Sequence, residues 1–154
     1  MLTASGTREV PATRAEVWQA LAVLEPYCAV CDVSYVAVPG KIRAGTTFVC
    51  VPGRLDGAEP PAGAPRGEIL AWEPRRRVET RLELTGETWT TSIDLADGDG
   101  GGTRVTMAVS LDPGGGNRLV RRIQRSAAQK LFERTVTDEL DKVPAHLAQA
   151  HANG

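Results

Sequence analysis

Two cysteines are the first residues in this chain whose type and spacing could do chemistry. Cys28-Ala-Val-Cys31 has the Cys-x-x-Cys spacing of metal sites and redox pairs. A zinc site needs four donors. Only Cys50 lies near in sequence, and the two histidines, His146 and His151, stand near the C-terminus. The plainer reading is three small, buried, reduced thiols, so the expectation is no metal ligand and no cofactor. Neither a Ser–His–Asp nor a Cys–His arrangement is suggested, because both histidines sit so late in the chain. General acid–base work has candidates in Asp32, Glu87 and Tyr35, each of which needs burial to shift its pKa. The pattern singles out none of them, and no catalytic residue is assigned. Asp97-Gly-Asp-Gly100 starts like a calcium loop but lacks the later ligands and the closing Glu. A tight hairpin turn explains it.

The second kind of chemistry is apolar recognition. Phe48, Cys50, Ile69, Ala71, Thr80, Leu82, Trp89, Thr91, Ile93, Val105, Met107 and Val109 fall on one face of successive alternating segments. They read either as the lining of a ligand pocket or as a filled core, and periodicity does not separate the two. Trp72 and Trp89 either stack on a planar ligand or simply pack. Arg81 and Glu83 alternate with the apolar set and face water.

Alternating runs must position these residues. The chain reads as a strand from Thr3 to Val10, then a helix from Arg14 to Ala22 behind a Thr13/Glu16 capping box. A second short helix is expected from Pro26 through Cys31. Strands follow at Ser34 to Val38, Thr46 to Val51, Gly67 to Trp72, Val78 to Leu84, Thr88 to Leu95 and Thr103 to Leu111. Together they predict an antiparallel sheet with one covered face. Between the second and third of these strands, Pro52 to Arg66 holds four Pro and three Gly. That is the composition of a long irregular loop, and the cavity is expected to open near it and the start of the C-terminal helix.

The last third is helical, with Asn117 as its N-cap. Two apolar stripes point opposite ways: Leu119, Val120, Ile123, Ala127 and Leu131 on one side, and Phe132, Val136, Leu140, Val143 and Leu147 on the other. Extended backwards, the second stripe meets Gln129, Arg125, Arg122 and Arg118. Either the helix kinks or restarts near Ser126, or it runs straight and its arginines line a cavity mouth and attract an anionic group. Pro144 ends or kinks it.

Length and composition bound the answer. The chain has 154 residues, one domain by length, spanning 1–152. Hydrophobic residues are 42% and charged residues 24%, ordinary for a globular protein. A net charge of −1 argues against a broad electrostatic grip on nucleic acid. The 15 Arg against 3 Lys, with abundant Ala and Gly, suggest a GC-rich bacterial genome. No apolar run reaches the roughly 18 residues of a membrane helix. The first ten residues lack a signal peptide's apolar block. A cytoplasmic protein, monomer or homodimer, is the expectation.

Strand, two short helices, six strands and a long helix make an order that resembles the SRPBCC/START-like superfamily. That superfamily holds polyketide cyclases/dehydrases, lipid-transport domains and the birch-pollen allergen. Three stretches carry the resemblance: Arg8-Glu-Val-Pro-Ala-Thr-Arg-Ala-Glu-Val-Trp-Gln-Ala-Leu21, Gly67-Glu-Ile-Leu-Ala-Trp-Glu-Pro-Arg-Arg-Arg-Val78 and Gly102-Thr-Arg-Val-Thr-Met107. The link Leu24-Glu-Pro-Tyr-Cys-Ala-Val-Cys-Asp32 departs from relatives, which often carry Asp then Trp there. The resemblance implies an α+β helix-grip fold, about seven antiparallel strands curved around the C-terminal helix. It also implies an apolar cavity for a small hydrophobic, lipid- or polyketide-like molecule. The ligand-binding set is then Phe48, Cys50, Ile69, Thr80, Leu82, Trp89, Thr91, Ile93, Val105, Met107, Arg122, Arg125 and Phe132. A cyclase-type enzyme and a partner-binding module of the quinone- or ribosome-associated type are the alternatives, since fold alone does not settle function.

Overall fold

The computed structural model describes residues 1–22, 24, 27–37, 40–84, 86–112 and 118–153, without the side chains of 118–126 and 153. Strand β1 (Leu2–Val10) leads into helix α1 (Arg14–Leu21). Six strands follow: β2 (Val33–Ala37), β3 (Thr47–Pro52), β4 (Arg66–Glu73), β5 (Arg77–Leu84), β6 (Glu87–Asp97) and β7 (Thr103–Asp112). Two helices, α2 (Arg118–Asp141) and α3 (Val143–Asn153), complete the chain. The strands form one antiparallel sheet in the order β1-β7-β6-β5-β4-β3-β2.

Local chemistry explains the elements. Thr13 accepts from the Glu16 amide at 3.2 Å, and Glu16 accepts from the Thr13 amide at 2.8 Å, so the expected capping box starts α1. The hydrogen bond to the Thr13 amide also holds the Glu16 carboxyl below its usual range. α1 buries Val17 and Trp18, and the Trp18 ring meets Trp72 edge-on at 4.8 Å. β1 passes close under α2 at Gly6, where a side chain would strike Leu140 and Val136. Gly67 is needed for a similar reason, because the Phe48 ring lies over its backbone from the neighbouring strand.

The sheet has two unlike faces. The outer one carries cross-strand ion pairs: Arg81–Glu68 at 2.7 Å, Arg77–Asp94 at 2.8 Å and Arg104–Glu9 at 2.6 Å. Arg81 thus faces outward, as its alternation predicts. The inner face meets α2 through Phe132, Val136, Leu140 and, at the start of α3, Val143, all 5% exposed or less. Of the opposite stripe, Ala127 and Leu131 are not buried in the core, and Leu131 is 66% exposed.

Three expectations change. No second helix forms at residues 27–31. Cys28 and Val33 instead bridge through two backbone hydrogen bonds of 2.8 and 3.2 Å. Asp32, at φ 52°, makes that tight turn through the left-handed region, which an Asp tolerates better than most residues. The C-terminal helix does not restart at Ser126. It runs unbroken from Arg118 to Asp141, and the interruption falls at Lys142. Pro144 then sits in the first turn of α3, where its missing N–H costs nothing. Finally, a bulge between Ile69 and Ala71 shifts the register of β4. Trp72 therefore stands opposite Val78 on the inner face, and Ala71 stands opposite Glu79 on the outer one.

Candidate functional site: a cavity with an apolar wall and a thiol–imidazole end

A cavity of about 380 Å³ lies between the inner sheet face and the C-terminal helices. Its long wall comes from three adjacent strands in register. Val78, Thr80 and Leu82 of β5 stand opposite Ile93, Thr91 and Trp89 of β6. Met107 and Val109 of β7 follow beside Ile93 and Thr91. All eight line the cavity. Directly opposed residues point to the same face, so one two-residue alternation repeated three times builds the wall. Phe48 and Cys50 of β3 extend it, and the Trp89 ring leans on Phe132 of α2 at 5.3 Å. Among the described residues, the hydroxyls of Thr80, Thr91 and Tyr35 make no hydrogen bond.

The other end of the cavity is polar. Tyr35, Cys31, Glu139 and His146 line it. Burial pushes the Tyr35 phenol and the Cys50 thiol up, and pushes the His146 imidazolium down. Burial, assisted by the Cys28 thiol and by Glu139, pushes the Cys31 thiol up to about 12. These groups are therefore neutral near pH 7. Glu139 is paired with Lys142 at 2.9 Å.

At this end the Cys28–Val33 turn meets α3. Cys28 Sγ lies 3.9 Å from His146 Nδ1, and Cys31 Sγ lies 3.7 Å from His146 Nε2. The side-chain carbonyl of Gln149 accepts from the Ala29 and Val30 amides at 3.0 and 3.2 Å. Cys28, Cys31 and His146 are the residues here whose donor atoms lie close enough to share a metal ion.

Of the sequence-predicted set, Phe48, Cys50, Thr80, Leu82, Trp89, Thr91, Ile93 and Met107 line the cavity. Ile69 and Val105 do not; they are 1% and 0% exposed, packed in the core off the wall. Phe132 is buried behind Trp89 rather than on the lining. The side chains of Arg122 and Arg125, like those of Arg118, Leu119, Val120 and Ile123, lie outside the described residues, as does Asn117. The 52–66 loop contributes no lining residue. Thr135, Glu139, Val143 and His146 line the cavity and were missed. Their steps of four, four and three residues mark the flank of the buried stripe, which was the available signal.

No family model matches this chain, and no curated protein matches it by sequence. Its fold does match solved structures. TTHA0849 from Thermus thermophilus is similar over 96% of this chain and 98% of that one, with a TM-score of 0.67 and 18% identity. Ara h 8.0201 is similar over 97% of each, at 0.62 and 16%. CalU16 from Micromonospora echinospora is similar over 98% of this chain and 86% of that one, at 0.52 and 16%. At such identities the likeness shows architecture alone: the chain has the α+β helix-grip fold, a seven-stranded antiparallel sheet closed around a C-terminal helix.

Proposed function

We propose that this protein binds a small, largely hydrophobic molecule in the cavity between the sheet and the C-terminal helices. The cavity itself carries the reading. Its volume of about 380 Å³ is within the usual range of roughly 300–1,000 Å³ for ligand sites. Its wall is mostly aliphatic and aromatic, with a few hydroxyls that the described residues leave free. That combination suits an apolar body carrying one or two polar groups.

Titration with a hydrophobic, environment-sensitive fluorophore such as anilinonaphthalene sulfonate tests it. One saturable site is expected, abolished by Thr91→Phe, which fills the cavity. Absence of saturable binding, or binding indifferent to Thr91→Phe, contradicts it.

The cyclase-type reading has one observation in its favour: Tyr35, Glu139 and His146 share the polar end, where an acid and a base are both within the cavity wall. Recovery of the bound molecule chemically converted, rather than unchanged, separates catalyst from carrier.

A further inference from the structure

We propose that Cys28, Cys31 and His146 form a binding site for a single soft divalent cation of the zinc type, with its fourth coordination position open to the cavity.

Donor chemistry is the first support. Two thiols and an imidazole are the donor types that zinc takes in protein sites. Geometry is the second. A tetrahedral zinc, at about 2.3 Å from sulfur and about 2.0 Å from nitrogen, sets its donors roughly 3.5–3.8 Å apart. The two thiols lie 3.9 and 3.7 Å from ring nitrogens of His146, and the three donor atoms all lie within 4.8 Å of one another. Here the ring stands with one nitrogen toward each thiol. With one ligand atom taken from each residue, a single ring nitrogen already lies within 4.8 Å of both sulfurs.

The surroundings hold the donors for this purpose. The bridge between Cys28 and Val33, with Asp32 in the left-handed region, folds Cys28-Ala-Val-Cys31 into a tight turn. Gln149 stands three residues after His146 on α3, so one helix face supplies both the imidazole and the carbonyl that ties the Ala29 and Val30 amides. Among the described residues, the His146 side chain has no hydrogen-bond partners except the two thiols. Sulfur is a weak hydrogen-bond partner, so a half-buried imidazole spent on two thiols is poorly accounted for by hydrogen bonding alone. On binding, both thiols release their protons to solvent and the imidazole binds neutral, which leaves the ion and its ligands with no net charge.

Cys31, His146 and Glu139 all line the cavity. Three protein donors with an open fourth position are the arrangement of reactive rather than purely structural zinc sites. The three donors are in place whatever the cavity holds, and the test reads the metal directly.

The full chain, reduced and stripped of metal, is titrated with Co²⁺ and then Zn²⁺. The expected result is one equivalent of cobalt, with thiolate charge-transfer bands and the intense visible bands of four-coordinate cobalt, displaced by zinc. Cys31→Ser and His146→Gln each weaken binding by about tenfold or more. His151→Gln, on the exposed histidine, leaves it unchanged. Cys28 is buried, so Cys28→Ser is scored only where circular dichroism shows the native fold. Failure of the reduced protein to take up one equivalent overturns the proposal. So does binding that survives both Cys31→Ser and His146→Gln, or a Cys28–Cys31 disulfide whose reduced form ignores cobalt.

Discussion

The two ends of the cavity are built in opposite ways. The apolar wall comes from three consecutive strands, β5 to β7, whose residues are neighbours in both sequence and space. The polar end comes from segments far apart: the Cys28–Val33 turn and α3, joined by contacts between residues 115 and 118 positions apart. A wall made by a local period tolerates conservative change, because any residue of similar size keeps the pattern. A cluster made by docking two distant segments depends on the docking itself. The difference divides the molecule into a part that shapes the ligand's apolar body and a part that fixes chemistry.

Substitutions sharpen or break this division. The largest effect is expected where α2 packs against the apolar wall. Phe132→Ala removes a buried ring that packs on Trp89. It costs about 3–5 kcal/mol in urea unfolding. A loss under about 1 kcal/mol would mean that α2 does not hold the wall.

Trp89→Ala comes next. Trp89 lines the cavity and is only partly buried, so fluorophore affinity is expected to fall by about tenfold, or 1.4 kcal/mol. Stability should change less than affinity. A large stability loss with unchanged affinity would make Trp89 core rather than lining.

At the polar end, Tyr35 gives a pH signature. Its pKa is raised by burial first, then by Cys50, Cys31, Cys28 and Glu139. A group whose folded pKa exceeds its unfolded value of about 10 stabilises fully below that pH. That contribution is lost as pH rises through 10 toward the folded value. Tyr35→Phe should therefore flatten the alkaline fall in melting temperature while leaving stability at pH 7 nearly unchanged, since the hydroxyl has no described partner to strand. An unchanged alkaline slope would place the phenol in water.

The smallest effect belongs to the outer face. Arg81→Ala breaks an exposed pair with Glu68. It is expected to cost about 0.2–1 kcal/mol and to leave fluorophore affinity untouched. A change in affinity would show that the two sheet faces are not independent.

How much of this was legible in the sequence follows the same division. The wall from Val78 to Val109 was readable because side-chain alternation is a local signal. The β4 bulge hid in it: no glycine marks the shift, so Ala71 was assigned to the inner face and Trp72 left open. Pro26 looked like a helix start, but the bridge across Cys28 and Val33 prevailed there as a turn. The thiol–imidazole cluster was illegible for a different reason. Nothing within a short window joins Cys31 to His146; that needs α3 to turn at Lys142 and lie against the 28–33 segment. The interruption was expected at Pro144 or Ser126, so the face of α3 carrying His146 and Gln149 was never placed.

Whether the cavity holds a small hydrophobic molecule decides between a ligand site and a packing feature. The most direct measurement is native mass spectrometry of freshly purified protein beside the same sample denatured. The expected result is an added mass of one lipophilic molecule that disappears on denaturation and that Thr91→Phe does not retain. A clean apo mass that stays apo after incubation with total lipid extract, at wild-type stability, would contradict it and leave the cavity a packing feature of the fold.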